Sequence, residues 1–216
     1  MDPPRIAQLL KPFLGENALS TEKLQSISTY IDILQRWNAR VNLTAVRNPD
    51  ETVTRHFGES LFAARHLFPN PCVSAVVNAP EVADVGSGAG FPGIPIKLWA
   101  PEISLTLIES NHKKATFLRE VTRTLTLTNI NIQNTRAESF MAKRFGVVTL
   151  RAVEHFEETL PIAANLLNPR GRLALLIGSS QLPIAQAILP SIIWRKPMPV
   201  PASKSRVLLV GSFTNE

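Results

Sequence analysis

Over the first third of the chain, apolar residues recur at three- and four-residue steps. Leu24, Ile27, Ile31, Leu34 and Trp37 fall on one face of a helix. Ser20 or Thr21 can cap its start, because a hydroxyl there accepts an otherwise unpaired backbone N–H. A second helical run carries Val53, Phe57, Leu61 and Ala64 and opens at Asn48-Pro49-Asp50. Residues 69–80, rich in proline and asparagine, read as a linker loop. Beyond residue 80 the pattern becomes an alternation. Val82–Val85, Leu105–Ile108, Ile130–Gln133, Val147–Leu150 and Leu173–Ile177 are short β-rich runs. Helical patterns at Ile94–Trp99, Lys113–Thr124 and Glu157–Leu167 lie between them. Such alternation predicts an α/β fold, a doubly wound and mainly parallel sheet with helices on both faces. Ile192–Lys196 and Val207–Ser212, joined by Pro197–Ser203, predict an antiparallel hairpin at the sheet edge. The expected organisation is a helical subdomain with its linker over 1–79 and a sheet domain over 80–216, together one compact unit.

Composition sharpens this picture in three ways. An apolar share of 44% over 216 residues supplies a full core, which excludes a disordered chain. A net charge of +6 favours polyanionic partners, nucleic acid first and a membrane surface second. The single cysteine, Cys72, excludes an internal disulfide and a multi-cysteine zinc site, and four scattered histidines offer no metal cluster. No apolar run approaches the roughly 18 residues of a spanning helix. The start Met1-Asp2-Pro3-Pro4 does not resemble a signal peptide, so a cytoplasmic protein without a membrane partner is expected.

Candidate chemistry concentrates in Ala83-Asp84-Val85-Gly86-Ser87-Gly88-Ala89-Gly90-Phe91-Pro92-Gly93, a glycine-rich turn between a strand and a helix. Glycine has no Cβ and accepts positive φ, so backbone in such a corner can approach a ligand closely. The next strand ends in Glu109, 23 residues beyond Gly86, near the spacing at which an acid meets ribose hydroxyls in nucleotide-binding βαβ units. A nucleoside triphosphate is excluded, since no Gly-x-x-x-x-Gly-Lys-Ser/Thr occurs. A dinucleotide fits poorly: the third glycine arrives one residue early, and Phe91-Pro92 crowds the anion site. Asp84 would repel a pyrophosphate but suits a ligand carrying an ammonium and a sulfonium. S-adenosylmethionine is such a ligand. Its ribose would fall to Glu109, and its adenine near Arg136-Ala137-Glu138.

These residues resemble a known family. Trp37-Asn38, Val41-Asn42-Leu43-Thr44-Ala45, His56 with Glu59-Ser60-Leu61, the run from Asp84 to Pro95, Lys113-Lys114-Ala115, Phe117-Leu118-Arg119, Arg136-Ala137-Glu138 and Arg151-Ala152-Val153 occur in its order. The chain is similar to the bacterial 16S ribosomal RNA guanine-N7 methyltransferases, the RsmG or glucose-inhibited division protein B family. The resemblance implies a class I methyltransferase fold with a seven-stranded sheet, S-adenosylmethionine as donor, and methyl transfer to N7 of a guanine in 16S RNA or the small ribosomal subunit. It also implies that Gly86, Ser87, Gly88 and Phe91 line the cofactor, that Ala137 and Glu138 hold its adenine end, and that Arg151 sits beside the transferring methyl. Three positions depart from the family pattern: Gly146, Leu150 and Ile177 stand where aspartate, serine and lysine are usual.

The chemistry agrees with this on separate grounds. Guanine N7 carries an in-plane lone pair and no proton, so it needs neither a general base nor a cysteine adduct. No Asn/Asp-Pro-Pro-aromatic run is present to handle an amine. Arg151 is the candidate catalytic residue, either donating to guanine O6 or bracing the cofactor carboxylate. Arg40, Arg47, Lys113, Lys114, Arg119, Arg123, Lys204 and Arg206 are candidate phosphate contacts. His56, Trp37 and Trp99 read as structural, and the protein is expected to be a monomer. A methyltransferase with another acceptor, and a nucleic-acid-binding module with a vestigial cofactor site, are the alternatives.

Overall fold

The fold is described from a computed structural model, over residues 1–69, 79–140 and 144–213. Cys72 and most of the expected linker lie outside the described residues. The helical part begins with α1 (Pro3–Leu14), which the sequence reading did not anticipate. Its signal is nevertheless present: Ile6, Leu10, Phe13 and Leu14 are buried at helical spacing, and Pro3 and Pro4 occupy the first turn, where a missing N–H costs nothing, while Pro12 stands inside the helix. α2 (Thr21–Asn38) is capped by Ser20, whose side chain accepts from the Lys23 N–H. A third helical segment runs without a break through α3 (Pro49–Glu51), a π-helical turn (Thr52–Gly58) and α4 (Glu59–Leu67). Asn48 caps it. The π turn adds a residue per turn, which re-aims the side chains that follow; such turns recur at functional sites.

The sheet comprises β1 (Glu81–Val85), β2 (Ser104–Ile108), β3 (Ile130–Gln133), β4 (Phe145–Arg151), β5 (Leu167–Gly178), β6 (Ile193–Trp194), β7 (Met198–Pro199) and β8 (Arg206–Ser212). Strand order is β3-β2-β1-β4-β5-β8-β6, with β7 also pairing β8. β1 to β5 run parallel, and β8 lies antiparallel to β5. The expected count of seven strands becomes eight, in seven positions: β6 and β7 share the outer edge of β8. Pro197, which has no N–H to donate, stands between them.

Alternation along each strand sends residues to two cores. Val82, Leu105, Leu107, Val147, Ala174 and Leu176 join the N-terminal helices, α5 (Gly93–Trp99) and α6 (His112–Thr124). Ala83, Val85, Val148, Leu150, Leu175 and Ile177 face α7 (Phe156–Asn165) and α8 (Leu182–Ile188). Leu150 and Ile177 are therefore core residues, and their departure from the family pattern removes no group from the site. One contact ties the helical part directly to the glycine turn. Tyr30 of α2, fully buried, donates to the Ala89 carbonyl and stacks on Phe91 at 5.4 Å and 5°.

Candidate active site

A cavity of about 780 Å³ opens over the carboxyl ends of β1, β2 and β4. Ligands of open α/β sheets bind at that edge. Its walls include Gly86, Ser87, Gly88, Phe91, Glu109, Ala137, Glu138 and Arg151, so eight of the nine expected site residues converge there. The turn is left-handed at Gly86, Gly88 and Gly90, with φ of 67°, 55° and 83°. A Cβ on Gly86 would stand 2.8 Å from Val153 Cγ1. On Gly88 it would meet nothing closer than 3.8 Å, so the backbone there is open to the cavity.

Asp84 is the exception, and its expected role is corrected. Its side chain is fully buried and does not line the cavity. Oδ2 accepts from the Gly93 N–H at 3.1 Å, at the start of α5, and Oδ1 accepts from the Thr149 hydroxyl at 2.8 Å. Strand register explains this: Asp84 lies opposite Thr149 on the face that packs against the helical part. The carboxylate holds the glycine turn from beneath instead of meeting a cationic ligand. Ser87 likewise turns its hydroxyl inward, to the Asp84 carbonyl at 2.8 Å, and offers backbone to the cavity. Glu109 is held by two N–H groups, Gly88 at 2.8 Å and Asn111 at 2.7 Å, and stays on the cavity wall.

At the β4 end, Arg151 is almost enclosed. Its Nε and Nη2 donate to Glu59 Oε2 at 3.3 and 3.2 Å, and Nη2 also donates to the Arg55 carbonyl at 2.8 Å. Side-chain exposures of 8% and 5% for Arg151 and Glu59 make this a buried pair, joined by Arg206 at 3.3 Å from the same carboxylate oxygen. Nη1 of Arg151 has no acceptor among the described residues, so it keeps donors for a ligand. Arg151 Nη2 also lies 3.1 Å from His56 Nδ1, while His56 Nε2 lies 2.7 Å from Thr44 Oγ1. His56 stacks on Phe91 at 4.8 Å, and both Thr44 and His56 line the cavity. Past β4 the chain is held in left-handed backbone at Ala152 and His155, with φ of 50° and 52°. Each such residue costs about 1–2 kcal/mol, so the loop's shape is imposed by its surroundings.

A family model described as rRNA small subunit methyltransferase G matches residues 23–187. The chain is 36% identical over 177 residues to the ribosomal RNA small subunit methyltransferase G of Stenotrophomonas maltophilia (strain K279a), covering 82% of this chain and 79% of the relative. The chain belongs to the rRNA small subunit methyltransferase G family. Solved structures agree on the fold of this family member. The ribosomal protein L11 methylase from Lactobacillus delbrueckii subsp. bulgaricus superposes with a TM-score of 0.58 at 19% identity, over 72% of this chain and 77% of that one. M. jannaschii TYW2 in complex with AdoMet gives 0.51 at 15% identity, over 69% and 74%. The fold is that of the class I methyltransferases.

The other expected positions in this family member divide cleanly. Arg40, Lys113, Arg119, Arg123 and Lys204 are exposed, and Lys114 reaches the cavity wall. Arg206 instead belongs to the buried Glu59 pair and donates to the Leu176 carbonyl, which corrects its reading as a phosphate contact. Arg47 donates to Asn38 and Asn42. Trp37 bonds Glu120, and Trp99 is buried, as structural residues. Glu59, which anchors Arg151, and Thr44 carry the family resemblance in the sequence, but no site role was expected of either. Among the described residues there is no cluster that could hold a metal, and no helix is long and apolar enough to cross a membrane.

Two buried titratable groups give this family member a testable pH response. Burial, then the charges of Arg151, Arg55 and Arg206, push His56 down to about 3. Burial pushes Asp84 up to about 6, against hydrogen bonds from Thr149 and Gly93. The His56 contribution to stability is full above its unfolded pKa of about 6.5 and is lost as pH falls toward 3. The Asp84 contribution has the opposite sign: present below its unfolded value and lost as pH rises through 6. Between pH 4.5 and 6 they offset each other. His56→Gln removes one of them, so acidification from pH 6 to 4.5 should stabilise the variant relative to the parent by about 2 kcal/mol, read from urea unfolding. Parallel stability–pH curves would show that His56 is not held neutral by its surroundings.

Proposed function

We propose that this chain transfers a methyl group from S-adenosylmethionine to N7 of a guanine in the 16S RNA of the small ribosomal subunit. The observation that carries the reading is one cavity with a ribose-spaced acid, Glu109, at one end and an arginine with free donors, Arg151, at the other. The adenosyl end fits over β2 and β3. There Glu109 has lone pairs left for the ribose diol, and Ala137 and Glu138 border the adenine. Gly86, Ser87 and Gly88 offer open backbone to the middle of the cofactor, with Phe91 beside them, and Asp84 keeps that turn in shape from below.

When bound, S-adenosylmethionine supplies an electrophilic methyl on a sulfonium whose departure leaves a neutral thioether. The protein's task is positional, because N7 presents a lone pair and gives up no proton. Arg151 orients the base or the cofactor carboxylate from Nη1, while Glu59 and the Arg55 carbonyl hold the other side of the guanidinium. Holding two reactants in line in this way is worth several kcal/mol, up to about 7–11 kcal/mol where alignment is ideal. Exposed Arg40, Lys113, Arg119, Arg123 and Lys204 support an RNA acceptor by charge. We read residues 1–79 as a helical subdomain with its linker, the helices completing the acceptor side of the site. Ile193 is the one exposed large apolar side chain among the described residues, which supports a monomer, and we place it in the cytoplasm with the ribosome.

The test is direct. Small subunits lacking the modification, incubated with the protein and tritiated S-adenosylmethionine, should acquire one N7-methylguanine in their RNA. Label confined to protein or to a small metabolite would overturn the acceptor.

A further inference from the structure

Thr44 lies between α2 and α3, and its position is set by the side chain of Asn38. Asn38 Oδ1 accepts from the Leu43 and Thr44 N–H groups at 2.9 and 3.1 Å, and Nδ2 donates to the Thr44 carbonyl at 3.0 Å. The Thr44 hydroxyl oxygen accepts from the Val46 N–H at 3.1 Å and faces His56 Nε2 at 2.7 Å. A guanidinium can only donate. Arg151 Nη2 has two hydrogens: one goes to the Arg55 carbonyl, and the other is shared between Glu59 Oε2, which Nε also serves, and His56 Nδ1 at 3.1 Å. A hydrogen on Nδ1 would face that donor, so Nδ1 accepts and the ring proton sits on Nε2. Nε2 then donates to Thr44 Oγ1. The strongly lowered pKa of His56 agrees with a neutral ring.

These two contacts exhaust the hydroxyl's acceptor capacity. A hydroxyl has two lone pairs and one hydrogen. Both lone pairs are taken, by Val46 and His56, while the hydrogen has no acceptor among the described residues. Thr44 is thus a one-way donor on the cavity wall. His56 links it to Arg151 at the end of β4, and Glu109 follows β2, two strand positions away.

Resting on the reading of the site as a guanine-N7 methyltransferase, we propose that Thr44 is a specificity-determining residue whose hydroxyl donates to O6 of the target guanine. O6 and N7 share one edge of the base, so fixing O6 also places N7. Adenine presents an amino group at that edge. Thr44 has no lone pair to receive it, and two donors would face each other. His56 is a positioning residue: it keeps the hydroxyl pointed outward and locked as a donor.

The test uses the full chain on small subunits whose methylated position, once mapped, carries guanine or 2-aminopurine, which lacks O6. Thr44→Val should lower kcat/KM on guanine by about 30-fold, the scale of one buried hydrogen bond. Thr44→Ser should stay within about threefold of the parent, and calorimetry should show unchanged S-adenosylmethionine affinity. Replacing guanine by 2-aminopurine should cost the parent the same factor and cost Thr44→Val nothing more, since the paired deletions are coupled. Independent, additive losses would overturn the proposal. A loss of cofactor affinity in step with activity would also overturn it, and would assign Thr44 to the cofactor instead. If the parent itself puts no methyl on N7, the functional reading fails, which is a separate outcome.

Discussion

Replacing Arg151 by alanine should lower methyl transfer to small-subunit RNA by at least about 100-fold, the scale expected for loss of a group that orients reactants. The cause is the loss of the only side chain at the β4 end, among the described residues, with both a fixed fork and free donors. Glu59 holds Nε and Nη2, the Arg55 carbonyl holds Nη2 again, and Nη1 remains for the ligand. The alanine variant also breaks a buried ion pair, at a cost of about 3–5 kcal/mol, although Arg206 stays with Glu59 and softens that loss. Arg151→Lys separates the two effects. It keeps a positive charge beside Glu59, so it should unfold within about 1–2 kcal/mol of the parent, yet an ammonium cannot span Glu59, Arg55 and a ligand together. Its turnover should fall at least about tenfold with cofactor affinity little changed. Parent-like turnover in the lysine variant would return Arg151 to a structural role.

Gly86→Val should abolish S-adenosylmethionine binding, with an affinity loss of about 100-fold or more by calorimetry, because strain and clash add at one residue. Gly86 sits at φ 67°, a region that β-branched side chains scarcely enter. Its Cβ would also meet Val153 Cγ1 at 2.8 Å, so either the glycine turn or the loop after β4 must move. Both are walls of the cavity. Gly88→Ala provides the contrast. It shares the left-handed backbone but meets nothing closer than 3.8 Å, so it should fold nearly as well as the parent and weaken binding less. Equal affinity in Gly86→Val and the parent would mean that the turn does not hold the cofactor.

The order of strands and helices after residue 80 was legible because two periodicities differ so plainly there. The run from Val82 to Val85, with Leu105 to Ile108 after it, bracketed the glycine turn and placed Gly86 and Glu109 on the same edge of the sheet. The α1 helix escaped because its prolines look like a loop, although Ile6, Leu10 and Phe13 carry the helical spacing. The outer strand was foreseen as a hairpin, and its division at Pro197 followed from a missing donor.

What the sequence by itself determined is the α/β alternation, the glycine-rich corner, the acid after the second strand and the basic surface, each written in local spacing or composition. The tertiary structure alone decided where Asp84 turns, which anion holds Arg151 and what Thr44 can donate. Asp84 faces Thr149 and Gly93 because strand register and helix start bring them together across 65 and nine residues. Arg151 meets Glu59 across 92 residues, through a π turn that no local pattern announces. Such pairings depend on the face each side chain takes once the elements pack, and local periodicity carries no information about partners that far along the chain.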